Sequence, residues 1–387
     1  MEREIEDVPK IMIFSFNHQA VRISAVPHSD KTSHEEWNLY ETHYPDFMDD
    51  VENIILRHDP DIVVYGSQED AIPGSYFHSH FLPKKMGDLY YNLQKRTRLM
   101  GFGVETYKAI KTFDLKLRGL RLSLYTKPHL TGMIELEERN MRDFLGAKGQ
   151  SWANCSLPVL QSKGAVASYL KIPGLGPIAF ICAHLPFDAE SLIQSVELKD
   201  PLIRERTLAH SNFSFNYLLQ ELIFNVKLEN SGSFSDIQHV FFFGDLNYRV
   251  WSLEDGFEDQ FLGASETVLD HIYRNNDELY RELTKEKIFL RFSEGVDNRG
   301  PMFLPTCKMR KPRPKVEDVT EITQLYNTGS GQRKPSWCDR ILYCDRGEIK
   351  DEIKCIEYNR LDSGSTMGMS DHAAVYGIFV IKEGICE

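Results

Sequence analysis

The chain has 387 residues, 42% hydrophobic and 26% charged, an ordinary globular composition with ample length for a large core. Its formal net charge of −12 excludes general adhesion to nucleic acid or to an acidic membrane, which calls for a basic field, so an anionic substrate must be drawn in by a local cluster. The seven cysteines, at 155, 182, 307, 338, 344, 355 and 386, form no C-x-x-C pair and read as reduced intracellular thiols, not as a disulfide frame or a zinc site. No basic-then-apolar leader opens the chain and no apolar run nears the roughly eighteen residues of a membrane span, which predicts a cytoplasmic protein.

Strand-like and helix-like runs alternate along the chain. Ile11 to Phe16 reads as a buried strand, and Phe47, Val51, Ile54 and Ile55 lie at the spacing of an amphipathic helix over 47–57. Asp61 to Tyr65 is the next strand, ending at Gly66-Ser67-Gln68-Glu69. Residues 84–99 suit a helix, and 101–125 suit two or three strands. Gly164 to Lys171 and Pro177 to Ala183 flank the turn Pro173-Gly174-Leu175-Gly176 and predict a hairpin. The longest helix falls at 201–227. The apolar run Val240 to Phe243 is a strand that delivers Gly244-Asp245-Leu246-Asn247-Tyr248-Arg249. Residues 141–158 and 306–335 are irregular, and the second stretch carries Lys308, Arg310, Lys311, Arg313 and Lys315, a basic segment in an acidic protein. With no repeat and no Gly/Ser- or Pro-rich linker, residues 10–381 read as one α/β domain with helices covering sheet faces, between short tails at 1–9 and 382–387.

The polar residues of interest gather where strands end: Asn17, Glu69, His184, Asp245, Asn247, Asp339, Asp371 and His372. Such placement suits a shared site along one edge of an α/β architecture. A carboxylate such as Asp245 takes a proton from attacking water, an amide such as Asn247 orients water or a phosphate oxygen, and the Arg249 guanidinium suits oxyanions. Glu69 and Asn17, assisted by Asp371, offer oxygen donors that a hard divalent ion such as magnesium takes. His184 alone is readable as a structural residue or as a ligand. His372 adjoins Asp371, and Asp339 is placed to pair with its ring and hold it charged. Trp337 and Cys338 read as packing residues.

Gly244-Asp245-Leu246-Asn247-Tyr248-Arg249 resembles, letter for letter, the first signature of the inositol polyphosphate 5-phosphatases, in the deoxyribonuclease-like group of metal-dependent phosphoesterases. Pro335-Ser336-Trp337-Cys338-Asp339-Arg340-Ile341-Leu342 is similar to the second, differing by Ser336 for Ala. Gln68-Glu69, Lys163-Gly164-Ala165-Val166, His184-Leu185, Pro305-Thr306-Cys307-Lys308 and Ser370-Asp371-His372 match shorter motifs in the same order, across roughly residues 10–381. The resemblance implies a four-layer α/β sandwich of two packed, mainly antiparallel sheets flanked by helices. It implies Glu69 and Asn17 as ligands of Mg2+, Asp245 as the group that orients and deprotonates water, and Asn247 as the holder of water or phosphate. His184 and His372 would bind the scissile phosphate, Asp339 would support His372, and Asp371 would lie beside the metal or water. Lys308, Arg333, Lys334, Lys163 and Arg340 form the expected substrate-binding set. Water would attack phosphorus in line, with no phosphoenzyme intermediate.

Some motifs depart from the family's. T-W-N-x-N is Ser15-Phe16-Asn17-His18-Gln19, G-N-K-G is Gln161-Ser162-Lys163-Gly164, and H-L-A-A is His184-Leu185-Pro186-Phe187. P-T-Y-K-Y, which grips the 4-phosphate in the family, is Pro305-Thr306-Cys307-Lys308-Met309, without either tyrosine. The expected partner is an inositol phosphate or a phosphoinositide headgroup, with transient contact at the cytosolic membrane face, no nucleic acid and no obligate protein partner. Two other readings compete: the same metal chemistry on nucleic acid or sphingolipid phosphodiesters, and a catalytically silent phosphoinositide-binding module. The acidity and the Trp-Cys-Asp-Arg signature count against the first, and the presence of Glu69, Asp245 and His372 against the second.

Overall fold

The computed structural model describes residues 9–17, 50–69, 108–115, 120–127, 130, 135–140, 164–172, 175–185, 237–252, 254–284, 292–311, 315–328, 334–346, 352–361 and 370–382. In chain order its strands are β1 (Lys10–Asn17), β2 (Ile62–Gln68), β3 (Lys108–Leu115), β4 (Leu120–Thr126), β5 (Glu135–Asn140), β6 (Gly164–Ile172), β7 (Gly176–His184), β8 (His239–Asp245), β9 (Ser293–Glu294), β10 (Asp339–Asp345), β11 (Ile353–Arg360) and β12 (Val375–Ile381). The helices are α1 (50–58), α2 (Glu266–Asn276), α3 (Glu278–Thr284) and α4 (Ile322–Leu325). One sheet runs β11-β12-β1-β2-β4-β3 and the other β5-β6-β7-β8-β10-β9. Only β1 with β2 and β7 with β8 pair in parallel among the described strands; the remaining pairs are antiparallel.

The central strands are apolar at successive positions because both of their faces are covered. Ile11 and Ile13 of β1, Ile62 and Val64 of β2, and Phe241 and Phe243 of β8 enter one core between the sheets. Phe241 stacks on Phe180 at 5.3 Å and meets Phe379 of the other sheet edge-on at 5.1 Å. The alternate residues Met12, Phe14, Val63 and Tyr65 face outward against Val51, Ile54 and Ile55 of α1. Val240 and Phe242 face outward from the second sheet, in a cluster with Leu279 of α3. The result is helix, sheet, sheet, helix, the four-layer sandwich. Helix α1 stops where Asp59 takes a left-handed φ of 45°, its N–H closing on the Ile55 carbonyl at 2.7 Å, and Pro60 follows.

Two glycines allow the approach of neighbouring segments near the strand ends. A Cβ on Gly244, at φ 133°, would lie 1.9 Å from the Ala183 carbonyl oxygen, so only glycine lets β8 run beside β7 there. A Cβ on Gly66 would lie 2.5 Å from the Phe243 ring, holding the sheets apart.

The strands expected at Ile11–Phe16, 61–65, 164–183 and 240–243 coincide with β1, β2, the β6–β7 hairpin and β8, and of the helix expected at 47–57 the described part, from 50 on, is α1. Residues 101–125 hold β3 and the start of β4. The helices expected at 84–99 and 201–227, and the irregular stretch at 141–158, lie outside the described residues. Within 306–335 the chain is not wholly irregular, because Val316–Asp318 and α4 form short helical turns, the latter closed by a reciprocal capping box between Glu321 and Gln324. No described helix is long and apolar enough to cross a membrane.

Candidate active site

The register of the sheets brings the polar strand ends to one rim. Asn17 pairs with Gln68 as β1 and β2 end together, so Glu69 emerges beside Asn17, at a φ of 50°. On the second sheet His184 pairs with Asp245 at the ends of β7 and β8, and Asp245 pairs with Asp339 at the start of β10. Because the sheets pack face to face, the two sets meet: Asn17 Nδ2 donates to Asp245 Oδ2 at 2.8 Å. The Ser370 hydroxyl donates to the Asn17 carbonyl at 2.6 Å and accepts from the His372 N–H at 3.1 Å, pinning the Ser-Asp-His segment to β1.

Asp245 is the hub. Besides Asn17, its Oδ2 lies 3.2 Å from His184 Nε2 and 4.0 Å from His372 Nε2, while Oδ1 accepts the Asn247 N–H at 3.1 Å. Asn247 sits at a left-handed φ of 59°, which asparagine tolerates and which turns its N–H back on Asp245. Glu69 Oε1 is 3.7 Å from His184 Nε2, and its side chain is 29% exposed against 3% for Asp245, so the glutamate is the more open carboxylate. Asp245, Asp339 and His372 bring donor atoms within 4.8 Å of one another. His239, Asp345 and Glu352 do the same at the far ends of β8 and β10, but His239 bonds Asp345 at 2.7 Å and the Leu175 carbonyl at 2.9 Å, a clamp on that end of the sheet.

His372 Nδ1 lies 2.8 Å from Asp339 Oδ2, which also accepts the Thr306 hydroxyl at 2.7 Å. Burial works against charge on His372, but Asp339 and then Cys307 outweigh it and hold the ring protonated well above the usual imidazole range. Burial pushes the Asp339 carboxyl up to about 6, with His372 pulling the other way. Acidification through about pH 6 therefore protonates Asp339 and removes the charge that supports the imidazolium, so kcat/KM should fall on that acid limb. A pH profile of Asp339→Asn checks this: the variant should lose the limb near pH 6 along with activity, and an unchanged limb would assign it elsewhere. Asp371 is pushed up by burial, with His372 and Lys308 opposing, and Lys308 Nζ lies 3.2 Å from its Oδ2.

Arg340 is a correction to the expected substrate-binding set. Asp339 and Arg340 are neighbours on a strand and point to opposite faces. The Arg340 guanidinium is fully buried, bonding Glu294 through Nε at 2.6 Å and Asp277 through Nη1 at 3.0 Å. Lys334 is likewise committed elsewhere, to Glu258 at 2.6 Å and the Glu254 carbonyl at 3.2 Å. Asn247 uses one N–H on the Leu185 carbonyl at 2.9 Å and accepts Arg249 Nη2 at 2.6 Å, so only the rest of its amide can meet water or phosphate. Arg249 also reaches Cys307 Sγ at 3.7 Å, and so serves the floor of the site. Lys308, 39% exposed, is at the rim, whereas Lys163, Arg333 and Arg313 lie outside the described residues. Thr306 and Ser370 add hydroxyls to the site that sequence reasoning does not single out, although both stand in the motifs above.

Residues 30–378 match the model of the endonuclease/exonuclease/phosphatase family 2. Among curated proteins, the phosphatidylinositol 3,4,5-trisphosphate 5-phosphatase 1 of Homo sapiens is 26% identical over 227 residues, 57% of this chain and 16% of that protein. The phosphatidylinositol 3,4,5-trisphosphate 5-phosphatase 2 of Sus scrofa is 34% identical over 143 residues, 37% of this chain and 10% of that protein. The chain thus spans less than a fifth of either relative's length. Among solved structures, the inositol polyphosphate 5-phosphatase domain of spsynaptojanin has the same fold, with a TM-score of 0.60 at 18% identity, covering 96% of this chain and 84% of that one. The chain belongs to the endonuclease/exonuclease/phosphatase family 2.

Proposed function

We propose that the chain is a phosphoric monoester hydrolase that removes the 5-phosphate of inositol polyphosphates or phosphoinositide headgroups by direct attack of water, with Mg2+ held by Glu69 and Asn17. The observation that carries this reading is the hub at Asp245, where an amide from one sheet and an imidazole from the other converge on a single buried carboxylate. The names of the curated relatives support the substrate class, and the spsynaptojanin domain was solved with inositol (1,4)-bisphosphate and a calcium ion, which supports a divalent cation at such a site.

The donor set fits a hard cation. Glu69 offers a partly open carboxylate, and Asn17, whose amide nitrogen donates to Asp245, carries an amide oxygen of the kind such an ion takes. When bound, the ion supplies positive charge against a phosphate oxygen. The remaining work falls to the chain. Asp245, fixed by Asn17 and by the Asn247 N–H, takes the proton of the attacking water. The His372 imidazolium, held by Asp339, and His184 face the charge that grows on the phosphate oxygens. Lys308, with its charge balanced by Asp371, is the rim cation for a neighbouring phosphate, and Arg333 and Lys163 are the further cations of the substrate-binding set. Residues 10–381 act as one catalytic unit, at the cytosolic face of a membrane or in the cytoplasm, in keeping with free cysteines.

A phosphate-release panel tests this, using soluble inositol trisphosphate and tetrakisphosphate, the 4,5- and 3,4,5-phosphorylated lipids and abasic DNA, each with magnesium and with a chelator. Release from an inositol or lipid substrate that the chelator abolishes is the expected result. Release from the DNA alone would move the chain to the nuclease reading, and no release at all would leave a binding module.

A further inference from the structure

Thr306 is fully buried beside Asp339, and its hydroxyl is used twice on that one residue. It accepts the Asp339 N–H at 3.2 Å and donates to Asp339 Oδ2 at 2.7 Å. An N–H can only donate, so the one proton of the hydroxyl is left for the carboxylate. The ring closed by these two bonds fixes the carboxylate against its own backbone. The same Oδ2 meets His372 Nδ1 at 2.8 Å, whereas Asp339 Oδ1 is buried with no hydrogen-bond partner among the described residues. Both supports of the carboxylate thus fall on one oxygen, the ring from one side and Thr306 from the other.

The threonine is pinned in turn. Its N–H bonds the Ser336 carbonyl at 3.1 Å, and its carbonyl accepts the Ala373 N–H at 2.8 Å, next to His372. A β-branched side chain on a backbone held at both ends has few rotamers open to it. Thr306 therefore ties together the two segments that carry Asp339 and His372. Among the described residues, the charged groups that face Asp339 are His372 and, across the β8–β10 register, Asp245. Beyond them lie Asp371, 3.9 Å from His372 Nε2 and paired with Lys308, and Arg249, bonded to Asn247. His372 and the Thr306 hydroxyl favour the Asp339 anion, while burial and Asp245 oppose it.

We propose that Thr306 is a positioning residue of the catalytic centre: its hydroxyl holds Asp339 as an oriented anion beside the His372 ring, and so keeps the imidazolium aimed at the phosphate. The use of the pair in hydrolysis rests on the phosphatase reading, whereas the hold of Thr306 on the pair stands on its own contacts. Thr306 acts through Asp339 and His372, so its loss shows in kcat and in the pH profile and leaves KM nearly unchanged. A hydrogen bond to the charged carboxylate favours that form, and without it the carboxyl takes its proton at higher pH. The acid limb expected near pH 6 accordingly moves toward neutrality.

The test compares the magnesium-loaded wild type with Thr306→Val, which keeps the branched shape without the hydroxyl, with Thr306→Ala, and with Thr306→Ser, which keeps the hydroxyl. Phosphate release is followed across the acid limb. Thr306→Val and Thr306→Ala should lose about tenfold in kcat and shift the limb up by about one pH unit. Thr306→Ser should return the limb to its wild-type position. In parallel, the ring resonance of His372, identified by its absence in His372→Gln, is titrated by NMR without substrate. Its inflection near pH 6 should rise by the same amount in Thr306→Val. An acid limb or a ring inflection that stays in place in both hydroxyl-free variants, or a Thr306→Ser that behaves as they do, would overturn the proposal. A ring inflection that moves in a protein releasing no phosphate upholds the hold of Thr306 on the pair and rejects the phosphatase reading instead. If Thr306→Val does not fold, Thr306→Ala carries the comparison.

Discussion

Asp245→Asn should lower kcat by at least about a thousandfold while leaving the fold intact. The substitution keeps an oxygen to accept the Asn17 amide and the Asn247 N–H, so the contacts at 2.8 and 3.1 Å can survive. What it removes is the basicity that the proposed mechanism turns on water, together with the negative charge that His184 and His372 face at 3.2 and 4.0 Å. Loss of a group that acts in the transition state shows in kcat more than in KM. Steady-state phosphate release with a parallel thermal melt checks both halves. Activity within a few-fold of wild type, on a folded variant, would remove Asp245 from the centre of the mechanism.

Arg340→Leu should cost about 3–5 kcal/mol of stability, because it leaves the Asp277 and Glu294 carboxylates buried without their cation. Tyr273 and Tyr358 still donate to Glu294, at 2.9 and 3.0 Å, but neither hydroxyl carries charge. Burial holds the Asp277 carboxyl above its ordinary range even with Arg340 opposing. A carboxyl raised in the folded state binds its proton more tightly there than in the unfolded chain. Its contribution is thus present in acid and lost as pH rises through the folded value. The deficit of the variant should accordingly narrow on acidification. Urea denaturation at neutral and mildly acidic pH measures this, with KM determined on the folded fraction. A raised KM at unchanged unfolding free energy would return Arg340 to the substrate-binding set.

The strands that carry the site were legible because burial on both faces writes itself as uninterrupted apolar runs, as in Val240 to Phe243, with the polar signature following at once. The contact of Asp339 with His372, at 2.8 Å, is also legible, because it follows from putting the two signatures at one rim. The signature as a unit places Arg340 with Asp339 at the site, whereas the alternation of a strand sends successive side chains to opposite faces. Its partners could not be named in advance, since Asp277 and Glu294 sit in separate segments that only the fold brings together. β5, Glu-Leu-Glu-Glu-Arg-Asn, is a polar sequence at the end of its sheet and lacks the apolar signature used elsewhere. β11 does alternate, with Ile353, Cys355, Tyr358 and Arg360 buried between exposed residues, but a shift in register after Cys355 breaks the period.

The bond from Asn17 to Asp245 spans the seam between the two sheets and links residues 228 positions apart. Neither lobe holds a complete constellation: the outermost stretches of the chain furnish Asn17, Glu69 and His372, and the middle furnishes His184, Asp245 and Asp339. A splice variant or proteolytic fragment that keeps only one lobe would be inert however well it folded, and turnover therefore reports on the docking of the entire sandwich.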